Sequence, residues 1–184
     1  MRVTFVGPAP TTATAAAAFP AGEDLDERGL AWAAQARVPR ADRVVRGPEP
    51  ACAQTCAALG IEAAADPALA GWDLGAWAGA RLADLAGERP DDVAAWLTDP
   101  DAAPHGGEPL RALLARTLAW LAALPDGHTL AVCDTTLARA AVVGLLDAPP
   151  AAFWRIDAGP LTATDLRGGP DRWTVRATGT PLRP

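Results

Sequence analysis

Serine, lysine, tyrosine and asparagine are all absent from this chain of 184 residues, so each of its 16 cationic side chains is an arginine. These absences exclude whole reaction classes. A serine hydrolase, a lysine Schiff-base enzyme, a Walker-type phosphate loop and a tyrosine acid/base mechanism each need a side chain that is missing. Thr, Asp, Glu, Arg, Trp, His105, His128 and three cysteines remain for chemistry. Cys52, Cys56 and Cys133 are odd in number, lack metal-ligand spacing and have no further ligands gathered near either histidine. They read as reduced and structural, and neither a metal nor another cofactor is expected.

Long apolar runs are also scarce. A membrane span needs about 20 consecutive apolar residues, and the richest stretch, 113–124, is interrupted by Arg116 and Thr117. Gly7, Pro8 and Pro10 cut the first apolar run short, which excludes a signal-peptide core and leaves the cytoplasm as the expected location. Net charge is -6 and the arginines are scattered, so there is no basic stripe for a phosphate backbone and no nucleic-acid partner is expected. With half the residues hydrophobic, the length fits one globular domain spanning 1–184.

Strand and helix signals alternate along the chain. A β-branched and aromatic run predicts a strand over 3–6, and Asp26 is placed to cap a helix over 27–36 that buries Leu30 and Ala34 and turns Arg28 and Arg37 outward. A strand follows over 43–46. Pro48 suits the first turn of a helix running over 51–59 until Gly60 stops it. The stretch 66–104 reads as helical pieces divided by prolines and glycines. A long helix over 109–124, a strand over 129–133, a helix over 135–146 and strands over 161–166 and 173–177 complete the pattern, with 181–184 as a loose tail. This alternation predicts a three-layer α/β/α sandwich on a mostly parallel sheet, with ligands beyond the strand carboxyl ends.

Five segments carry a resemblance: Leu25-Asp26-Glu27-Arg28-Gly29-Leu30, Gln54-Thr55-Cys56-Ala57, Leu74-Gly75-Ala76-Trp77-Ala78-Gly79, Pro104-His105-Gly106-Gly107-Glu108, and the run from Ala131 to Ala140. In order and spacing they are similar to the histidine phosphatase (phosphoglycerate mutase-like) superfamily. The resemblance covers nearly the whole chain and implies that superfamily's fold. It also implies an Arg-His-Gly triplet after the first strand, where this chain has Gly7, Pro8 and Ala9. The second pocket arginine falls on Pro50, the acid before the Gly-x-Trp motif on Gly71, and the second pocket histidine on Asp134.

Phosphoryl transfer is positioning plus electrostatic stabilisation, so these replacements predict a degenerate member without phosphohistidine chemistry. The expectation is a pseudophosphatase with a repurposed active site, wider and more apolar, binding a larger neutral or cationic small molecule. Either acid/base catalysis of lyase, isomerase or cyclase type, with Asp134, or a non-catalytic binding or regulatory role fits that expectation. If the chain is an enzyme, it is expected not to be an ordinary phosphatase. The alternative is a residual phosphoesterase with a substituted mechanism. A homodimer is the candidate assembly.

Asp134 stands at a strand's carboxyl end and reads equally as a pocket carboxylate and as a helix N-cap. Glu108, at the head of the long helix, suits the helix dipole better than catalysis. His105 is the histidine near the expected rim, and a solvated loop role suits it better still; His128 reads as structural. These three, Asp134, Glu108 and His105, are the candidate catalytic residues. The candidate ligand-binding set is Gly7, Pro8, Thr11, Thr12, Arg46, Pro50, Trp72 and Thr135. Trp72 offers a stacking surface, whereas Trp77 reads as core, Cys52 as an inert thiol and Arg139 as structural.

Overall fold

The computed structural model describes residues 1–169 and 172–183. Strands β1 (Arg2–Val6), β2 (Arg43–Arg46), β3 (Ala64–Ala65), β4 (His128–Val132), β5 (Thr162–Gly169) and β6 (Arg172–Pro181) form one sheet in the order β3-β2-β4-β1-β5-β6. The four strands from β3 to β1 are parallel, and β5 and β6 add antiparallel at the β1 edge. The sheet is therefore mixed, with its parallel half carrying the strand ends that matter below.

The two central parallel strands, β1 and β4, are buried on both faces after their first residue, whereas β2 and β3 toward the edge are partly or fully exposed. Val3, Phe5, Ala131 and Cys133 face one core, shared with helices α6 (Leu110–Ala122) and α7 (Thr135–Leu145). Val6, Leu130 and Val132 face the other, against Cys52 and Cys56 of α3 (Pro50–Ala58). Helix α2 (Glu27–Gln35) packs on α3 and completes that layer. A short α1 (Thr12–Ala16) follows the β1 loop, and α4 (Leu82–Glu88) and α5 (Pro90–Thr98) carry the middle of the chain. The α/β/α class expected from the alternation is the one observed.

Local differences have physical causes. Asp26 caps α2 as expected, accepting the Gly29 N–H at 2.6 Å. The buried face, however, is Gly29 and Ala33, and Leu30 is 44% exposed. Gly29 decides this: an added Cβ would collide with the Pro10 carbonyl, so the helix meets the β1 loop through its glycine. Pro50, not Pro48, takes the first position of α3. Strand β3 is two alanines with no strand propensity and forms by pairing with β2. Far from a loose tail, 181–183 are held: Leu182 N–H donates to Leu161 O at 2.9 Å, and Arg183 O accepts the Arg37 N–H at 2.8 Å. Pro184 lies outside the described residues. No helix among the described residues is long and apolar enough to cross a membrane.

Candidate functional site

Three chain segments leave the carboxyl ends of β1, β2 and β4 side by side and enclose a cavity of about 130 Å³. After β1 come Pro8, Ala9 and Thr11. After β2 come Glu49, Ala51 and Cys52, and after β4 come Asp134 and Thr135. Glu23 and Pro160 close the sides. Thr55 Oγ1 fastens the first segment to α3 by accepting the Ala9 N–H at 2.9 Å while donating to Ala51 O at 2.7 Å.

Among the described residues, three carboxylates and no cationic side chain line this cavity. Asp134 caps α7: its Oδ1 accepts the Thr136 N–H at 2.8 Å and the Thr136 hydroxyl at 2.6 Å. Its Oδ2 accepts no hydrogen bond among the described residues. Glu49 precedes α3 without capping it; Oε1 accepts the Gly71 N–H at 2.7 Å, and Oε2 accepts the Cys52 thiol at 3.7 Å. Both carboxylates converge on Gly71, where an added Cβ would lie 3.3 Å from Asp134 Cβ and 3.4 Å from Glu49 Oε1. Glu23 accepts the Thr11 hydroxyl at 2.9 Å and the Ala21 N–H at 2.8 Å. Burial pushes its acidity the other way, yet these hydrogen bonds hold its carboxyl below the usual range.

Backbone donors that often bind anions are occupied across 7–11. Gly7 N–H donates to Thr162 O at 3.0 Å, Ala9 to Thr55, and Thr11 to Thr14 Oγ1 at 3.2 Å, while Pro8 and Pro10 have no N–H. Burial, reinforced by Glu49 and Asp134, pushes the Cys52 thiol far above its usual range, so it is a protonated wall and not a thiolate.

A second cavity of about 210 Å³ shares Pro20, Asp134 and Thr135 with the first. Its walls are Phe19, Trp72, Trp96, Phe153 and Trp154, and Thr136 and Arg139 of α7 add polar groups to it. Arg139 is pinned by donating to Ala158 O at 3.1 Å, its guanidinium carbon stands 6.0 Å from the Phe153 ring centre, and its buried Nε has no partner among the described residues.

The structure brings Asp134, Pro8, Thr11 and Thr135 to the first cavity and Trp72 to the second. Other candidates lie elsewhere. Glu108 pairs with Arg116 at 2.6 Å and makes no cap, since Pro109 holds that position. Arg116 in turn donates to Gly71 O at 2.9 Å and Ala68 O at 3.2 Å, bracing the loop that carries Trp72. His105 is not solvated but 2% exposed, packed against Trp72 and Trp77, with Nδ1 accepting the Gly107 N–H at 3.0 Å. Burial pushes its pKa down, against the opposing pull of Asp73.

Arg46 curls back to its neighbour's carbonyl, Gly47 O, at 2.9 Å. Thr12 is exposed at the start of α1, and Pro50 lines neither cavity. Gly7 packs under the first cavity, where an added Cβ would meet Thr135 Cγ2 at 2.7 Å. Glu49, Glu23 and Arg139 were not singled out from the sequence as site residues; the only signal was the position of Glu49 just before a helix that follows a strand. Among the described residues, no group of three or more His, Cys, Asp or Glu is placed to hold a metal ion.

A three-layer sandwich with its cavity beyond the carboxyl ends of a parallel half-sheet defines the class of molecule. The family model of the histidine phosphatase superfamily (branch 1) matches residues 20–180, and the chain belongs to that superfamily. Among similar solved structures, a mycobacterial glucosyl-3-phosphoglycerate phosphatase is 22% identical, with 98% of this chain and 99% of that chain covered at a TM-score of 0.82. The alpha-ribazole phosphatase from Shigella flexneri is 18% identical over 100% and 98%, also at 0.82. A phosphoserine phosphatase from Entamoeba histolytica, as its H9A mutant with phosphoserine, is 14% identical over 96% and 95%, again at 0.82. No curated protein sequence matches the chain.

These relatives overturn two expectations. Both the pseudophosphatase with a repurposed active site and the enzyme that is no phosphatase but uses Asp134 as acid/base give way, because the similar solved structures named above are phosphatases.

Proposed function

We propose that this protein is a phosphoester hydrolase that works with a substituted set of side chains. The observation that carries the reading is the grouping of Asp134, Thr135 and Arg139 on one cavity at the head of α7. There a carboxylate with a free oxygen stands beside a hydroxyl and a fixed guanidinium. Phosphoryl transfer needs an in-line nucleophile and positive charge on the equatorial oxygens, and these groups supply both. Asp134 Oδ1 is tied to Thr136, which orients Oδ2 as the attacking atom.

In this reading Oδ2 forms a bond to phosphorus as the ester P–O bond breaks, and the departing alkoxide takes a proton from water. A second water then attacks phosphorus, releasing inorganic phosphate and restoring the carboxylate. Arg139 offsets the charge of the transferring group, and Glu49, fixed on Gly71, sets the position of the loop opposite.

Release of inorganic phosphate from a panel of phosphomonoesters tests this. The wild type is expected to turn over at least one ester. Asp134→Asn is expected to lose turnover, and Arg139→Leu to lose about 100-fold or more in kcat/KM, the usual effect of removing one transition-state charge partner. No release above buffer from any ester, or full activity in Asp134→Asn, overturns the reading.

A further inference from the structure

We infer that the second cavity receives a flat aromatic ring, so that the ester it serves is one whose alcohol part carries such a ring. The naming of an ester rests on the hydrolase reading; the ring site itself stands on the cavity. At about 210 Å³ it exceeds the roughly 150 Å³ apolar cavity known to take up benzene. Its open walls are Trp72 and Trp154, whose ring centres lie 6.0 Å apart with planes inclined at 35°, and Phe153 backs both edge-on, so a flat guest is offered two indole surfaces.

The walls are also fixed before any ligand arrives. The Trp72 indole N–H donates to Glu108 O at 2.7 Å, while Trp96 and Phe153 are 4% and 0% exposed. Trp72 and Trp154 are only half-buried and supply the open surface. A preformed aromatic corner loses little entropy when it binds. Polar groups enter the cavity from the head of α7, as Asp134, Thr135, Thr136 and Arg139. A ring seated among the tryptophans therefore directs its ester oxygen toward Asp134. An aliphatic chain would fill the volume equally but gain nothing from the ring faces.

Calorimetric binding of 2-naphthol and of its saturated counterpart, decahydro-2-naphthol, tests the site without requiring turnover. The expected result is that 2-naphthol binds about fivefold tighter or more, loses that margin in Trp154→Leu, and keeps it in Trp154→Phe. Equal binding of the saturated ring, no binding of 2-naphthol to the wild type, or unaltered binding in a folded Trp154→Leu overturns the inference. If 2-naphthol binds as expected while no phosphomonoester is hydrolysed, the ring site stands and the hydrolase reading falls. If phosphate is released but 2-naphthol does not bind, the reverse holds.

Discussion

Glu49 turns away from the helix it precedes and accepts the backbone N–H of Gly71 at 2.7 Å, although the two residues are 22 positions apart. The bond places a carboxylate beside Asp134 at Gly71, where an added Cβ would press closely on both side chains. It also ties the β2 exit to the loop that leads into Trp72. Thus one side chain joins the strand-end cavity to the aromatic cavity behind it.

Asp134 has a structural duty and a proposed chemical one, and substitution separates them. Asn caps a helix about as well as Asp, so Asp134→Asn should keep the melting temperature and lose turnover. Asp134→Ala should lose turnover and also about 1 kcal/mol of stability, which is roughly 2–4 °C for a chain of this length. Thermal melts of both variants beside phosphate-release assays check the pair.

The carboxylates around the reaction centre disfavour a doubly charged phosphate. A phosphate ester sheds its second proton near pH 6, so kcat/KM should rise as pH falls from about 8 toward 6 and more of the ester becomes singly charged. A pH profile that falls instead would show that the dianion is the bound form.

Burial holds His105 below its usual pKa near 6.5, with Asp73 pulling the other way, and His128 is displaced in the same direction. The unfolded chain therefore takes up these protons first. Stability is fully present above about pH 6.5 and is lost as pH falls through the folded-state values. Melting temperature should drop between pH 7.5 and 5.5, and by less in His105→Gln. Equal drops in the two proteins would remove His105 from the explanation.

All three thiols are buried and free, and burial raises each of them, Cys56 to about 11. Iodoacetamide at pH 8 should leave the native protein unmodified and label all three sites after denaturation, as mass spectrometry will show.

The Glu108–Arg116 pair is largely shielded, with side chains 16% and 29% exposed, and Arg116 holds the carbonyls of Ala68 and Gly71. Glu108→Gln should cost about 1–2 kcal/mol, in line with a hydrogen bond to a charged group. It should also weaken 2-naphthol binding by loosening Trp72. A stability loss without any change in binding would separate the brace from the cavity.

Much of the fold was legible because local chemistry and tertiary structure agree. The apolar run at Val3 to Val6, the caps at Asp26 and Asp134, and the stop at Gly60 each carry their own instruction. What was hidden depends on partners far away in sequence. The Ala64–Ala65 strand exists through its pairing with β2, and the buried face of α2 follows from contact between Gly29 and Pro10. The site divides in the same manner. Asp134, Pro8, Thr11 and Thr135 follow strand ends directly, so their place at the mouth was readable. Glu49, Glu23 and Arg139 enter through side-chain reach and packing, which spacing does not encode. His105 was misplaced because a Pro-His-Gly-Gly loop looks solvent-exposed until the tryptophans close over it.

The most direct measurement is to quench the wild-type protein with acid during turnover of 2-naphthyl phosphate and map phosphoryl groups by mass spectrometry. A phosphoryl adduct on Asp134, discharged by hydroxylamine as an acyl phosphate must be and absent from Asp134→Asn, is the predicted result. Phosphate release that continues in Asp134→Asn, or an adduct on any other residue, would contradict the account.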